Sequence, residues 1–405
     1  MTGARLRVVV VGLGAMGSAA AFHLARRGAH VTGLELFGPA HDQGSSHGES
    51  RIIRQAYFEG PGYVPLVMRA YQLWGELEAA GKEHLIERTG GIMIGPADGP
   101  VVSGSLASAE RWDLPHRLLT ATEVAEEFPA LRPPPDQAGL FEPEAGVLAP
   151  ELAVLAHLRQ AAGHGAELHF GEPVLDWEPL GTGVSVRTAA RTYQADRLVL
   201  AAGAWTSGIW NLPEVPLQVE RQVMVWFAPA AIGPFTAPTC PIYLFEGRAG
   251  SYYYGIPTRD GRTAKAARHH GGEVTTAEDI RREVGESDLA LVREGLAETV
   301  PELATAPVAR SATCLYTNSL DHHFIVGLHP GFAQVAVAAG FSGHGFKFAS
   351  AVGEALADLV EVGESPQPLG DFQPSRFMAH QSGGKGMLGS GGTPIPSAAM
   401  TSPIT

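Results

Sequence analysis

Val8 to Val11 is an unbroken β-branched run, and Gly12-Leu13-Gly14-Ala15-Met16-Gly17 follows it directly. Such a run reads as a parallel strand buried on both faces. Ser18 to Arg27 then carries an alanine-rich helical pattern, Gly28 ends it, and Val31 to Leu36 reads as a second strand that contains Glu35. Strand, glycine turn, helix, strand and acid in this order constrain the start of the chain to a β-α-β dinucleotide site. Gly12 permits the tight turn, Gly14 lets the backbone approach a pyrophosphate, and Gly17 lets the helix pack close to the strand. The helix N-terminus offers free N–H groups and a partial positive charge to phosphates. Glu35 lies where an acid binds ribose hydroxyls and would repel a 2′-phosphate. NADP is therefore disfavoured, while NAD and FAD both stay open.

The 405 residues suggest two or three folding units. A net charge of −13 argues against a nucleic-acid partner. Two cysteines, Cys240 and Cys314, are too few to suggest a disulfide framework and point to a cytoplasmic location. No stretch approaches the ~20 apolar residues needed to cross a bilayer. Met1 to Gly12 has few basic residues and a short valine run before its glycines, so a signal peptide is not expected. Ser402 to Thr405 is not a peroxisomal address.

Nucleotide-type elements recur along the chain. Glu151 to Ala162 reads as a helix, Leu198 to Ala202 as a buried strand, Gln334 to Ala339 as a late strand, and Phe346 to Val360 as a late helix. Between them lie strand patterns at Gly90 to Gly95, Val219 to Phe227 and Tyr252 to Ile256. Tyr63 to Leu77 and Ala277 to Leu296 read as helices, and Pro133-Pro134-Pro135 as a loop where the chain could cross between domains. The expectation is an α/β (α+β mixed) fold of two interleaved domains. One comprises 1–86, 145–218 and 320–381 and binds the dinucleotide. The other comprises 87–144 and 219–319. Residues 382–405 are Gly, Ser and Pro-rich without periodicity and read as a disordered tail.

Gly44-Ser45-Ser46-His47-Gly48-Glu49-Ser50-Arg51-Ile52-Ile53-Arg54 resembles the segment after the second strand in the monomeric sarcosine oxidase and N-methyltryptophan oxidase family. These are FAD-dependent amine oxidoreductases of the D-amino-acid oxidase superfamily. Phe341-Ser342-Gly343-His344-Gly345-Phe346-Lys347-Phe348 is similar to that family's late flavin loop, and Thr313-Cys314-Leu315-Tyr316-Thr317 to its covalent-flavin segment. The resemblance runs from about Val8 to the helix near Val360. It implies a Rossmann-like FAD domain, a substrate domain on a large mixed β-sheet, and a monomer. It implies FAD joined to Cys314, with Gly343 and Gly345 beside the flavin and His47 and Arg51 near its ring. Arg54 and Lys347 match the residues that bind the substrate carboxylate, Lys265 the lysine that activates oxygen, His269 an active-site histidine, and Tyr254 and Tyr316 tyrosines of the substrate pocket.

Read without the resemblance, each of these residues has an ordinary role. Arg51, Arg54 and Lys347 would be surface ion-pair partners, Lys265 an exposed lysine, Cys314 a small buried residue, and the tyrosines strand aromatics. The activity implied is oxidation of a secondary amino acid at its C–N bond, with O2 reduced to hydrogen peroxide. Gly60 to Leu77 and Gly271-Gly272 look more like the N-methyltryptophan branch, and a cyclic imino acid such as proline or pipecolate stays open. The alternatives are a dehydrogenase with another electron acceptor and a dinucleotide-binding protein without turnover. The chain has 16 histidines, with pairs at His269-His270 and His322-His323. Adjacent strand residues point to opposite faces and no H-E-x-x-H or C-x-x-C occurs, so a metal site is not expected.

Overall fold

The computed structural model describes residues 5–247 and 250–378. The tail assigned to 382–405 lies outside the described residues. Arg7–Val11 is central in a six-stranded sheet whose order is Ile325–His329, Phe332–Ala339, Arg197–Leu200, Arg7–Val11, His30–Glu35 and Glu167–Phe170. All neighbours are parallel except the pair formed by Ile325–His329 and Phe332–Ala339. Val8 and Val10 pack in one core with the helices Ala15–Arg26, Pro150–Gly163 and Ala349–Val362. Val9 and Val11 pack in another with Trp177, Val184 and Val186 of a three-stranded antiparallel sheet. Both faces of the strand are covered, which is what its unbroken valine run requires.

The second large sheet has nine strands. Its order is Glu273–Thr275, Gln218–Phe227, Ala264–His269, Tyr252–Ile256, Ile242–Glu246, Gly91–Pro96, Gln137–Glu142 and Arg117–Thr120. Val308–Asn318 pairs along the whole of Gln218–Phe227. Ile242–Glu246 and Gly91–Pro96 run parallel and the other pairs antiparallel, so the sheet is mixed. The fold is the mixed α/β arrangement expected, a nucleotide-type sheet plus a large mixed sheet, and the chain visits the two in turn. A small sheet of Arg51–Ile53, Gly146–Leu148 and Ile86–Arg88 was not foreseen. Among the described residues no helix is long and apolar enough to cross a membrane.

Three local expectations are corrected. The helix expected from Ala277 begins only at Glu286 and ends at Thr299. The buried Arg221 takes the segment before it out of the helix: its guanidinium donates to the carbonyls of Arg281 at 2.5 Å and Glu283 at 2.8 Å, and pairs with Asp288. The Pro133 to Pro135 loop does not lead from one sheet to the other, because Arg117–Thr120 before it and Gln137–Glu142 after it are neighbours in the large sheet. His269 ends its strand and His270 takes a φ of +66°, so the two rings lie 4.2 Å apart instead of on opposite faces. Even so, among the described residues no group of three or more His, Cys, Asp or Glu side chains is placed to hold a metal.

Candidate active site

Two cavities share walls where the sheets meet. The larger, about 370 Å³, runs from the turn Gly12 to Met16 past Glu35, Ser45, Ser46 and Arg51 to Leu315, Tyr316, Gly343 and Gly345. The smaller, about 70 Å³, has Arg51, Tyr316, Gly343 and Phe346 in common with it. Its lining also includes Arg54, Glu59, Met224, Leu244, Tyr254, His269, Cys314, His344 and Lys347.

At the turn, Gly12 has a φ of +84°, and a Cβ there would sit 2.5 Å from the Ala201 carbonyl oxygen. Only glycine meets both conditions. Gly14 opens to the cavity, with Ser46 Oγ the nearest atom to a would-be Cβ at 3.8 Å. Gly17 lines neither cavity, and its close approach is to the Gly12 carbonyl more than to the strand. The Glu35 carboxylate accepts from Leu13 N at 2.7 Å and Phe37 N at 3.1 Å and faces His41 Nε2 at 3.3 Å. Burial acts to raise its pKa, yet these bonds hold it below the usual carboxylate range.

The segment Ser45 to Arg51 lies against the strand that carries Cys314. Arg51 donates to Ser45 O at 2.7 Å and Ser50 O at 2.8 Å, with its guanidinium 3.7 Å from Cys314 Sγ. His47 is buried behind the cavity walls, and its Nε2 has no hydrogen-bond partner among the described residues. Burial, with Arg51 adding to it, pushes its pKa down to about 4. Lys265 is buried and lines neither cavity. Its ammonium donates to Gly48 O, Ser50 O and Ser50 Oγ at 3.0, 3.1 and 3.3 Å, and burial pushes its pKa well below the usual lysine value. It is not an exposed lysine.

Arg54 and Lys347 are both buried at the wall of the smaller cavity, so neither is a surface ion pair. Arg54 grips Glu59 through both carboxylate oxygens at 2.7 and 2.6 Å and stacks on Tyr57. Lys347 donates to His344 O at 2.8 Å and Tyr57 Oη at 3.4 Å, and Trp74 Nε1 holds the Lys347 carbonyl at 2.9 Å. Burial, with Arg54 adding to it, lowers the Lys347 pKa to about 7. His269 Nδ1 lies 3.1 Å from Tyr316 Oη. Burial and the nearby His270 keep His269 neutral. Burial also raises Tyr254 to about 12 and Tyr316 well above its usual value, so both hydroxyls stay protonated. A Cβ on Gly343, whose φ is +77°, would collide with the Tyr316 ring. Gly345 precedes a single turn, Phe346–Phe348, that leads into the helix Ala349–Val362.

The profile of the family described as FAD dependent oxidoreductase matches residues 7–359. A monomeric sarcosine oxidase from Streptomyces avermitilis is 47% identical over 376 residues, covering 92% of this chain and 98% of that protein. The chain belongs to the monomeric sarcosine oxidase and N-methyltryptophan oxidase family of FAD-dependent oxidoreductases. An N-methyl-L-tryptophan oxidase of this family, from Salmonella newport, is 36% identical over 377 residues, covering 91% of this chain and 98% of that one. In fold, the chain is similar to the solved L-proline dehydrogenase from P. horikoshii, with a TM-score of 0.80 at 23% identity, covering 93% and 98% of the two chains.

The residues present fit the family's FAD. The larger cavity begins at a glycine turn and helix N-terminus suited to phosphates, passes the acid Glu35, and ends at Gly343. Cys314 is a free thiol in the wall of the adjoining cavity, and Cys240 is buried in the core of the large sheet, away from both.

Several side chains that shape the site escaped the sequence reading. Glu59 occupies Arg54. Glu142 is buried and takes Gln55 N and Ala56 N at 2.6 and 2.7 Å, which fixes the Arg54 loop. Glu151 takes Gly48 N at 2.6 Å and Glu49 N at 3.0 Å. The one signal available was an acid inside an apolar stretch, as in Ala56-Tyr57-Phe58-Glu59 and Leu140-Phe141-Glu142.

Proposed function

We propose that this chain is an FAD-dependent oxidase of a small secondary amino acid, with N-methylglycine (sarcosine) as the reference substrate. One observation carries the reading: two buried cations, Arg54 and Lys347, stand at the wall of a small cavity that opens off the dinucleotide cavity. A substrate carboxylate takes the place of Glu59 on Arg54 as a bidentate pair, and Lys347 adds a point charge. With two cations already there, the substrate amine binds in its neutral form. Neutral His269, steadied by Tyr316, lines the site without adding charge. Met224, Leu244 and Phe346 keep it apolar. When bound, FAD accepts two electrons and a hydrogen from the substrate C–N unit and returns the electrons to O2 as hydrogen peroxide, leaving an imine that water hydrolyses to an aldehyde and an amine. Lys265 is the buried cation that favours charge developing on oxygen. Cys314 holds the flavin covalently, with the Arg51 guanidinium 3.7 Å from its sulfur.

Size supports a small substrate. One water needs roughly 10–15 Å³ of such space, so the cavity of about 70 Å³ suits an N-methylated glycine better than an indole-bearing amino acid. Two free cysteines suit a reducing compartment, so we place the enzyme in the cytoplasm, and the relatives named monomeric sarcosine oxidase support a monomer.

Peroxide formation with sarcosine, proline and N-methyltryptophan tests the reading. Sarcosine is expected to have a kcat/KM higher than N-methyltryptophan by about tenfold or more, the loss of one or two good contacts' worth of fit. The reverse order would overturn the size argument. Flavin bleached without peroxide would make the chain a dehydrogenase, and flavin bleached by no amine would make it a binding protein. Acid precipitation tests the linkage: yellow colour should stay with the wild-type precipitate and leave with Cys314→Ala.

A further inference from the structure

Lys265 is surrounded by backbone, and the path from it does not stop at the first hydrogen bond. Its ammonium donates to the Gly48 carbonyl at 3.0 Å. The same peptide unit presents Glu49 N–H on its far side, where the Glu151 carboxylate accepts it at 3.0 and 3.2 Å. Glu151 also takes Gly48 N–H at 2.6 Å. A cation and an anion therefore sit at opposite ends of one peptide dipole.

The backbone between them is held in an unfavourable form. Gly48 has a φ of +93° and Glu49 one of +65°. Glycine tolerates that region and glutamate does not, so the bend persists only where its surroundings over-determine it. The surroundings are Glu151 on one side and, outside, the ion pair of Glu49 with Arg310 and the donation of Arg259 to Glu49 O at 3.4 Å. Glu151 stands in the first turn of Pro150–Gly163, where an acid ordinarily serves its own helix. Here its carboxylate oxygens reach across to the bend.

We propose that Glu151 is a positioning residue for Lys265: through the Gly48–Glu49 peptide it keeps the buried ammonium in place and charged. The reading of Lys265 as the group that serves oxygen underlies the functional half of this inference. The other charged or titratable groups facing Lys265 are Arg51, His47, Cys314 and Glu49, with Arg310 also against the Trp226 ring on which the ammonium rests. Burial and Arg51 drive Lys265 toward the neutral form, and Cys314, Glu151 and Glu49 oppose them. Of the two carboxylates, Glu151 is the one whose oxygens accept from the far side of the peptide that the lysine holds.

The chain has only four lysines, Lys82, Lys265, Lys347 and Lys385, which makes a direct measurement practical. Holoenzyme labelled with ¹³Cε-lysine is titrated by NMR, and the Lys265 signal is assigned by its loss in Lys265→Met. Glu151→Gln keeps an acceptor and removes the charge. It is expected to lower the Lys265 midpoint by about one pH unit or more, the scale of a charge-assisted hydrogen bond. The pH above which reduced flavin reoxidises slowly should move down with it, while anaerobic reduction by substrate stays within about twofold. Glu151→Asp should recover part of both shifts. An unmoved Lys265 midpoint in Glu151→Gln would overturn the proposal, as would reoxidation and reduction slowing together, the mark of a distorted loop. If Lys265→Met reoxidises as fast as wild type, the oxygen role of Lys265 fails, and the NMR midpoint still decides the link to Glu151.

Discussion

Arg54 and Lys347 show how much a single side chain's meaning depends on where the fold puts it. As letters they are two common surface residues, and only the motifs around them singled them out. In the structure both are buried at one cavity wall, and Glu59 pairs with Arg54. The Lys347 pKa of about 7 makes a pH prediction possible. A lowered lysine pKa means the ammonium is present below about 7 and lost above it. A bound carboxylate favours the charged form, so it raises that pKa. The Kd of a simple carboxylate without an amine should be flat below pH 7 and rise by about tenfold per unit above it. Lys347→Met should bind more weakly and without that slope. His269 and His344, both held well below 6.5 by burial, do not titrate in this window. A slope that survives in Lys347→Met would place the titration elsewhere. Gly343 offers a second test. Gly343→Ala must strain a φ of +77° and push into the Tyr316 ring, so the variant should lose flavin or hold it weakly, read by the protein-to-flavin absorbance ratio.

At the scale of elements, the strands and helices that periodicity named lie within a few residues of their observed bounds, with one exception, and many short strands carried no signal. Tyr252–Ile256 falls where its alternation puts it, and Val64–Gly81 and Pro150–Gly163 nearly so. The failure at Ala277 to Gly285 is instructive. Its charged pattern is compatible with a helix, but Arg221, some sixty residues earlier in the chain, holds its carbonyls and pairs with Asp288. A local pattern cannot report a partner so distant. Arg221→Leu leaves those carbonyls and part of Asp288 without a donor, though Arg281 still pairs with it. The cost should be about 3 kcal/mol, since breaking one side of a buried pair strands the other. A lower melting temperature and faster tryptic cleavage at Arg281 and Arg282 are expected. Unchanged cleavage would mean that something other than Arg221 orders this segment.

Over the whole molecule, the larger cavity takes its walls from both sheets: Val11 to Met16 from the six-stranded one, and Leu315 to Thr317 from the nine-stranded one. Flavin bound there should link their stabilities. A ligand at about a thousand times its Kd adds about 4 kcal/mol to the folded state. Flavin stripped from Cys314→Ser should lower the melting temperature by several degrees and broaden the transition. Restoring FAD should reverse both effects, and a flavin-free chain that melts like the loaded one would contradict a shared site. The sequence alone determined the dinucleotide turn, because φ at Gly12, the unbroken valine run and the position of Glu35 are short-range demands that a local stretch of chain must satisfy. It also marked Cys314, Arg54 and Lys347, through motifs preserved as strings. Only the tertiary structure decided that Glu59 occupies Arg54, that Glu142 and Glu151 hold the loops from behind, and that Lys265 lies buried against a left-handed bend. Those are relations between residues up to some two hundred positions apart, set by burial and hydrogen bonding, and no local pattern in the chain encodes them.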